Sequence, residues 1–160
     1  MTEFEVVSGK IRVTDPCYDK EIGGAVVVPA KNGVWAVEAV VKNLGVWGRR
    51  VTRIIATHPD HRERNHPLGD TDSSIGVDSG QAGFFCESIY PEGETGEYDD
   101  KKSFYGRCCE ATEGMSGGVV MGKGYVSSSG FGDGEYELDV YGIGGKATRL
   151  VLTFVGEDDE

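Results

Sequence analysis

Ser74-Ile75-Gly76-Val77-Asp78-Ser79-Gly80-Gln81-Ala82-Gly83-Phe84-Phe85 is the stretch on which the reading of the fold turns. Its two ends are apolar. Its middle places Asp78, Ser79 and Gln81 between glycines. Read as one alternating strand, it turns Val77 and Ser79 to one face and Gly76, Asp78 and Gly80 to the other. An apolar strand gains nothing by burying a carboxylate, because an unpaired one is costly or changes its protonation. Two readings follow. Asp78, Ser79 and Gln81 line the floor of a pocket, with Gly80 and Gly83 letting a ligand or another backbone come close. Alternatively, Asp78 holds neighbouring backbone amides at a bulge. The first reading puts Asp78 in or beside the main concave pocket.

Outward from this stretch the chain reads as short strands between turns. "FEVVSGKIRVTD" gives two strands around Ser8-Gly9, and Pro16 ends the second. "GGAVVVPA" reads as a short buried strand, "VWAVEAVVK" and "GRRVTRIIATH" as two more. "GVVMGKGYVSSSG" reads as a hairpin. In "GDGEYELDVYG", Tyr136, Leu138 and Val140 alternate with acids; in "ATRLVLTFV", Leu150, Leu152 and Phe154 alternate with Arg149, Val151 and Thr153. "GIGGK" between them is a hairpin turn. "EYDDKKSFYGRCCEAT" is the best helix, with Asp99 or Asp100 at its start. The fold class is therefore mainly β (α+β): a curved antiparallel sheet, partial barrel or sandwich with one short helix. A single domain spans 1–156, followed by an acidic tail, 157–160.

Bulk composition agrees. The 160 residues include 25 glycines, about twice the usual share of roughly 7% and without period, as expected of many turns. Net charge is −11, which argues against direct binding to nucleic acid. No apolar run is long enough to span a membrane, no leader is visible, and the four cysteines form no C-x-x-C pair. A cytoplasmic protein with reduced thiols is the expectation.

Three blocks, "SGKIRVTDPCY", "GVDSGQAGFF" and "SSGFGDGEYELDVY…ATRLVLTF", resemble in content and order a family of small bacterial and phage proteins known only as a domain of unknown function. The resemblance implies a compact β-rich domain, often phage-borne. It implies no activity.

The candidate chemistry is sparse. Asp15, Cys17 and Tyr18 share a turn; Cys17 has no histidine near it in sequence to lower its pKa, and Asp15 is equally suited to closing the turn. Asp133 and Tyr136 follow a glycine-rich stretch that either cradles an anion or makes a hairpin. His58, His61 and His66 share one loop with Asp60, Asp70 and Asp72, but "HPDH" with arginine neighbours is poor zinc spacing, so neither metal nor cofactor is expected. Arg49, Arg50, Arg53, Arg62 and Arg64 form a basic patch on an acidic chain, suited to a phosphate-bearing ligand or simply solvated. Trp35, Trp47 and several other aromatics offer stacking surfaces or core.

The leading expectation is a ligand- or partner-binding domain that counters a host system by holding a nucleotide-like small molecule or a host protein. Asp78, Ser79, Gln81, Arg49, Arg53 and Tyr136 are its contact residues. The competing expectations are a small hydrolase or lyase using Asp78 with Asp15 or Asp133 brought close by the fold, and an acidic decoy of a nucleic-acid-binding surface. A homodimer is left open.

Overall fold

The structure, a computed structural model, describes residues 2–68 and 73–156. Asp70, Asp72 and the tail 157–160 lie outside the described residues. Twelve strands and one α-helix follow in order: β1 (Thr2–Val6), β2 (Lys10–Thr14), β3 (Val26–Pro29), β4 (Gly33–Asn43), β5 (Arg49–Thr57), β6 (His66–Pro67), β7 (Ser74–Val77), β8 (Gln81–Cys86), α1 (Phe104–Ala111), β9 (Gly118–Val120), β10 (Gly124–Ser128), β11 (Gly134–Ile143) and β12 (Lys146–Thr153). They form two antiparallel sheets, one ordered β1-β4-β5-β12-β11-β6 with β7 also on β11, the other β3-β2-β8-β10-β9. No helix among the described residues is long and apolar enough to cross a membrane.

The stretch Ser74–Phe85 is not one strand. Ser74–Val77 pairs with β11 in the larger sheet, whereas Gln81–Cys86 lies between β2 and β10 in the smaller one. Asp78–Gly80 is the corner by which the chain changes sheets. "FEVVSGKIRVTD" does the same, since β1 belongs to the larger sheet and β2 to the smaller. A polar residue run between apolar halves was thus a change of sheet, not a decorated strand interior.

The sheets pack face to face on Phe4, Trp35, Ile54, Leu138, Leu150 and Leu152 from one side and Ile11, Val13, Phe84 and Tyr125 from the other. The helix covers the outer face of the smaller sheet, where Phe104 and Cys108 meet Phe85, Val126, Val120 and Tyr90. Phe85 and Tyr90 stand 5.3 and 4.9 Å from Phe104, ring centre to ring centre. All six residues of β8 are buried because the strand has an apolar layer on each side: Phe84 serves one and Phe85 the other. Gly83 is required here, since a Cβ would lie 2.0 Å from the Tyr125 carbonyl oxygen.

Two elements differ from the sequence reading. β3, expected to be buried, is an edge strand paired only with β2, so just Val28 turns fully inward. The helix starts at Phe104 rather than near Asp99 or Asp100. Ser103 is its N-cap, its Oγ accepting the Gly106 N–H at 3.0 Å, while Asp100 is used in the preceding turn, accepting from Lys102 and Ser103.

Candidate functional site

The buried carboxylate is Asp15, not Asp78. Asp15 follows β2 and is fully inaccessible. Its Oδ1 accepts the Cys17 N–H at 2.8 Å and the Ser79 hydroxyl at 2.6 Å; its Oδ2 accepts the Asp78 and Ser79 N–H groups at 2.8 and 2.6 Å. Pro16 bends the chain so that both oxygens meet the 78–80 corner. Ser129 N–H donates to Gly80 O, tying in the crossing from β10 to β11. Four protein donors fill this carboxylate, which leaves it unsuited to serve as a general base. Ser79 is engaged by Asp15. Burial first, and Asp15 second, push the Cys17 thiol up to about 12, so it stays protonated and is a poor nucleophile.

Gln81 was expected in a pocket and is instead buried under the helix. Its amide nitrogen donates to Cys109 Sγ at 3.4 Å and its oxygen accepts from Thr112 Oγ1 at 3.5 Å. Tyr105 is close to the same polar seam, and burial raises its phenol to about 12. These groups join the helix to the sheet.

Asp78 itself is exposed. Its Oδ2 accepts the Tyr18 hydroxyl at 2.7 Å. Burial, followed by this hydrogen bond, raises the Tyr18 pKa. Asp78 lines an open cleft of about 540 Å³ with Tyr18, Gly24, Ser74, Asp133 and Glu135. Asp78 and Asp133 therefore share a cleft, but Asp15 sits behind it with its oxygens filled. The acids of the cleft are thus Asp78, Asp133 and Glu135, and the expected trio of Asp15, Asp78 and Asp133 does not share it. Among the described residues no group of three histidine, cysteine or acidic side chains is placed to hold a metal ion.

The histidines separate into three settings. His58 is buried, Nε2 on Asn32 O at 2.8 Å and Nδ1 accepting the Asp60 N–H at 3.0 Å, which uses both ring nitrogens. His61 Nδ1 meets Thr148 Oγ1 at 3.0 Å. His66 is exposed on β6.

The basic patch also divides. Arg62 folds back on the carbonyls of Pro59 and His61. Arg53 sits on β5 opposite Val40 and Thr153 and does not line the hollow described next. Arg49 is exposed at the start of β5. Arg50 turns into an open hollow of about 530 Å³ lined with Trp47, Phe131, Phe154 and Val155. Its Nε donates to Trp47 O at 2.9 Å and its Nη1 to Gly130 O at 3.5 Å. Its guanidinium stands 5.6 Å from the centre of the Phe131 ring, within cation–π range. Trp47 meets Phe131 edge-on at 5.9 Å, yet the two keep 62% and 50% of their surface exposed, while Trp35 in the core keeps none.

Tyr136, expected to touch ligand, holds this shelf from behind. Its hydroxyl donates to Gly132 O at 2.6 Å and Ser129 O at 3.2 Å, and its ring packs edge-on against Phe154 at 5.2 Å. It fixes the loop that presents Phe131. The sequence reading passed over Phe131, although a phenylalanine flanked by Gly130 and Gly132 is a poor candidate for a strand interior, and that was the available signal.

No family model matches the chain, and neither the curated proteins nor the solved structures include a match to it.

Proposed function

We propose that this chain is a non-enzymatic binding domain that takes its ligand on the shelf formed by Trp47, Arg50 and Phe131. The observation that carries this reading is the exposure of a tryptophan and a phenylalanine, by half or more, around a single hollow. Water-exposed aromatics of this size forgo most of their burial energy. Tryptophan and arginine are the residue types that dominate binding energy when a partner covers them. The saturated Asp15 and the protonated Cys17 support binding over hydrolysis or elimination. In the bacterial or phage setting that the sequence blocks imply, sequestering a ligand is enough to blunt a host system, and no bond need be broken.

Native mass spectrometry of the protein purified from its host tests the reading. The expected result is a bound mass on the wild type that is lost from Phe131→Ala with the fold intact. A bound mass that Phe131→Ala retains would overturn it.

A further inference from the structure

Resting on the shelf reading, we infer that the ligand is a nucleotide, its base stacked on one of the exposed rings of Trp47 and Phe131 with the other ring against its edge, the two planes standing 71° apart, and its phosphate taken by Arg50. Four observations lead there. First, Arg50 is held before anything binds: two of its N–H groups are on the carbonyls of Trp47 and Gly130, and its guanidinium carbon lies over the Phe131 ring. A guanidinium has five N–H donors, so the fork keeps capacity for a planar or tetrahedral oxyanion, the geometry arginine recognises best.

Second, the hollow has flat aromatic surface and no carboxylate in its lining, whereas the cleft at Asp78 has three. Arg50 therefore brings positive charge into a hollow without carboxylate on a chain of net charge −11.

Third, the size is right for a small molecule. About 530 Å³ falls within the range of roughly 300–1,000 Å³ for small-ligand pockets.

Fourth, the rest of the surface discriminates by charge count. A strand of DNA or RNA carries many phosphates past the acidic remainder of the protein and is repelled. A free nucleotide places its few charges on Arg50 alone.

The two tryptophans make the test simple, because Trp35 is sealed in the core and Trp47 is open. Acrylamide quenching of the intrinsic fluorescence reads Trp47. Adenosine monophosphate and guanosine monophosphate should shield it saturably, with adenosine and inorganic phosphate each about tenfold weaker or worse, since each supplies one half of the contact. Arg50→Gln should weaken nucleotide binding by about tenfold or more through the lost charged hydrogen bonds, and adenosine binding by clearly less. Phe131→Ala should weaken both by about fivefold to a hundredfold, the effect of one lost stacking platform. Thermal melts confirm that each variant is folded. No shielding at millimolar nucleotide, or shielding that Arg50→Gln leaves intact, overturns the inference. If a co-purifying mass depends on Phe131 yet is not displaced by nucleotide, the shelf reading stands and the nucleotide falls. If that mass ignores Phe131, both fall.

Discussion

The corner around Asp15 and the shelf around Trp47 are both built from residues at the ends of strands, and they use side chains in opposite ways. At the corner every strong group is answered from within the chain: two carboxylate oxygens receive four donors, and Ser79 is spent on one of them. At the shelf two large rings are held in place and left uncovered. The corner carried the chemistry-bearing letters, aspartate, serine and cysteine, yet its work is to turn the chain between sheets. The shelf lay in the connection between two strands and in a glycine-rich turn. The type of residue is thus a weaker guide to a site than whether its bonding capacity is already filled.

The sharpest way to break this contrast is Asp15→Ala. It strands two backbone N–H groups at the 78–80 corner and a third at Cys17, and buried donors left without partners cost about 1–3 kcal/mol each. Allowing for water entry and relaxation, urea unfolding should show a loss of about 3–5 kcal/mol, in the range reserved for broken buried networks. A loss under about 1 kcal/mol, the ordinary size of a point-mutant effect, would mean that the corner does not depend on Asp15.

Asp78→Asn separates the two carboxylates of the corner. Only the exposed hydrogen bond from Tyr18 is changed, so the same measurement should show about 1 kcal/mol or less. A loss equal to that of Asp15→Ala would reverse their assigned roles.

On the shelf, Phe131→Ala and Trp47→Ala should each alter stability by no more than about 0.5 kcal/mol, as surface changes do. A melt lowered as far as a core phenylalanine would lower it, about 3–5 kcal/mol, would turn the shelf into core.

The smallest effect concerns pH at His61. Burial, then the neighbouring Arg149, hold its pKa below the ordinary histidine value. The folded protein therefore favours the neutral ring. Its contribution to stability is present above the unfolded pKa, near 6.5, and is lost as pH falls through the lower folded value. Melting temperature should drop slightly more between pH 7 and pH 5 in the wild type than in His61→Gln. An equal drop in both would remove His61 from the pH response.

Strand existence was legible in the sequence wherever alternation was clean, as in β11 and β12, because one face of each is core and the other is not. Sheet membership was not. Val77 and Gln81 read as one strand because periodicity is blind to a corner that preserves it; only the bonds to Asp15, sixty residues earlier in the chain and more, distinguish them. The polar content of the corner was visible, but its owner was misassigned, since a carboxylate's burial depends on which donors the fold brings to it. Arg50 and Trp47 were visible as members of a patch and an aromatic list. Their pairing with Phe131 joins loops on either side of the chain's middle, and no local pattern records it.

The order of strands has a consequence for how the protein is made. β5 stands between β4, its immediate predecessor, and β12, which begins only at Lys146. Until β12 leaves the ribosome, one edge of β5, with Ile54 and Ala56 beside it, has no partner. An unpaired apolar edge is a template for joining other chains, and sheets closed by distant segments form late. Truncation anywhere before Lys146 should therefore yield aggregates rather than a smaller soluble domain, and the vulnerable interval runs from the emergence of β5 to that of β12.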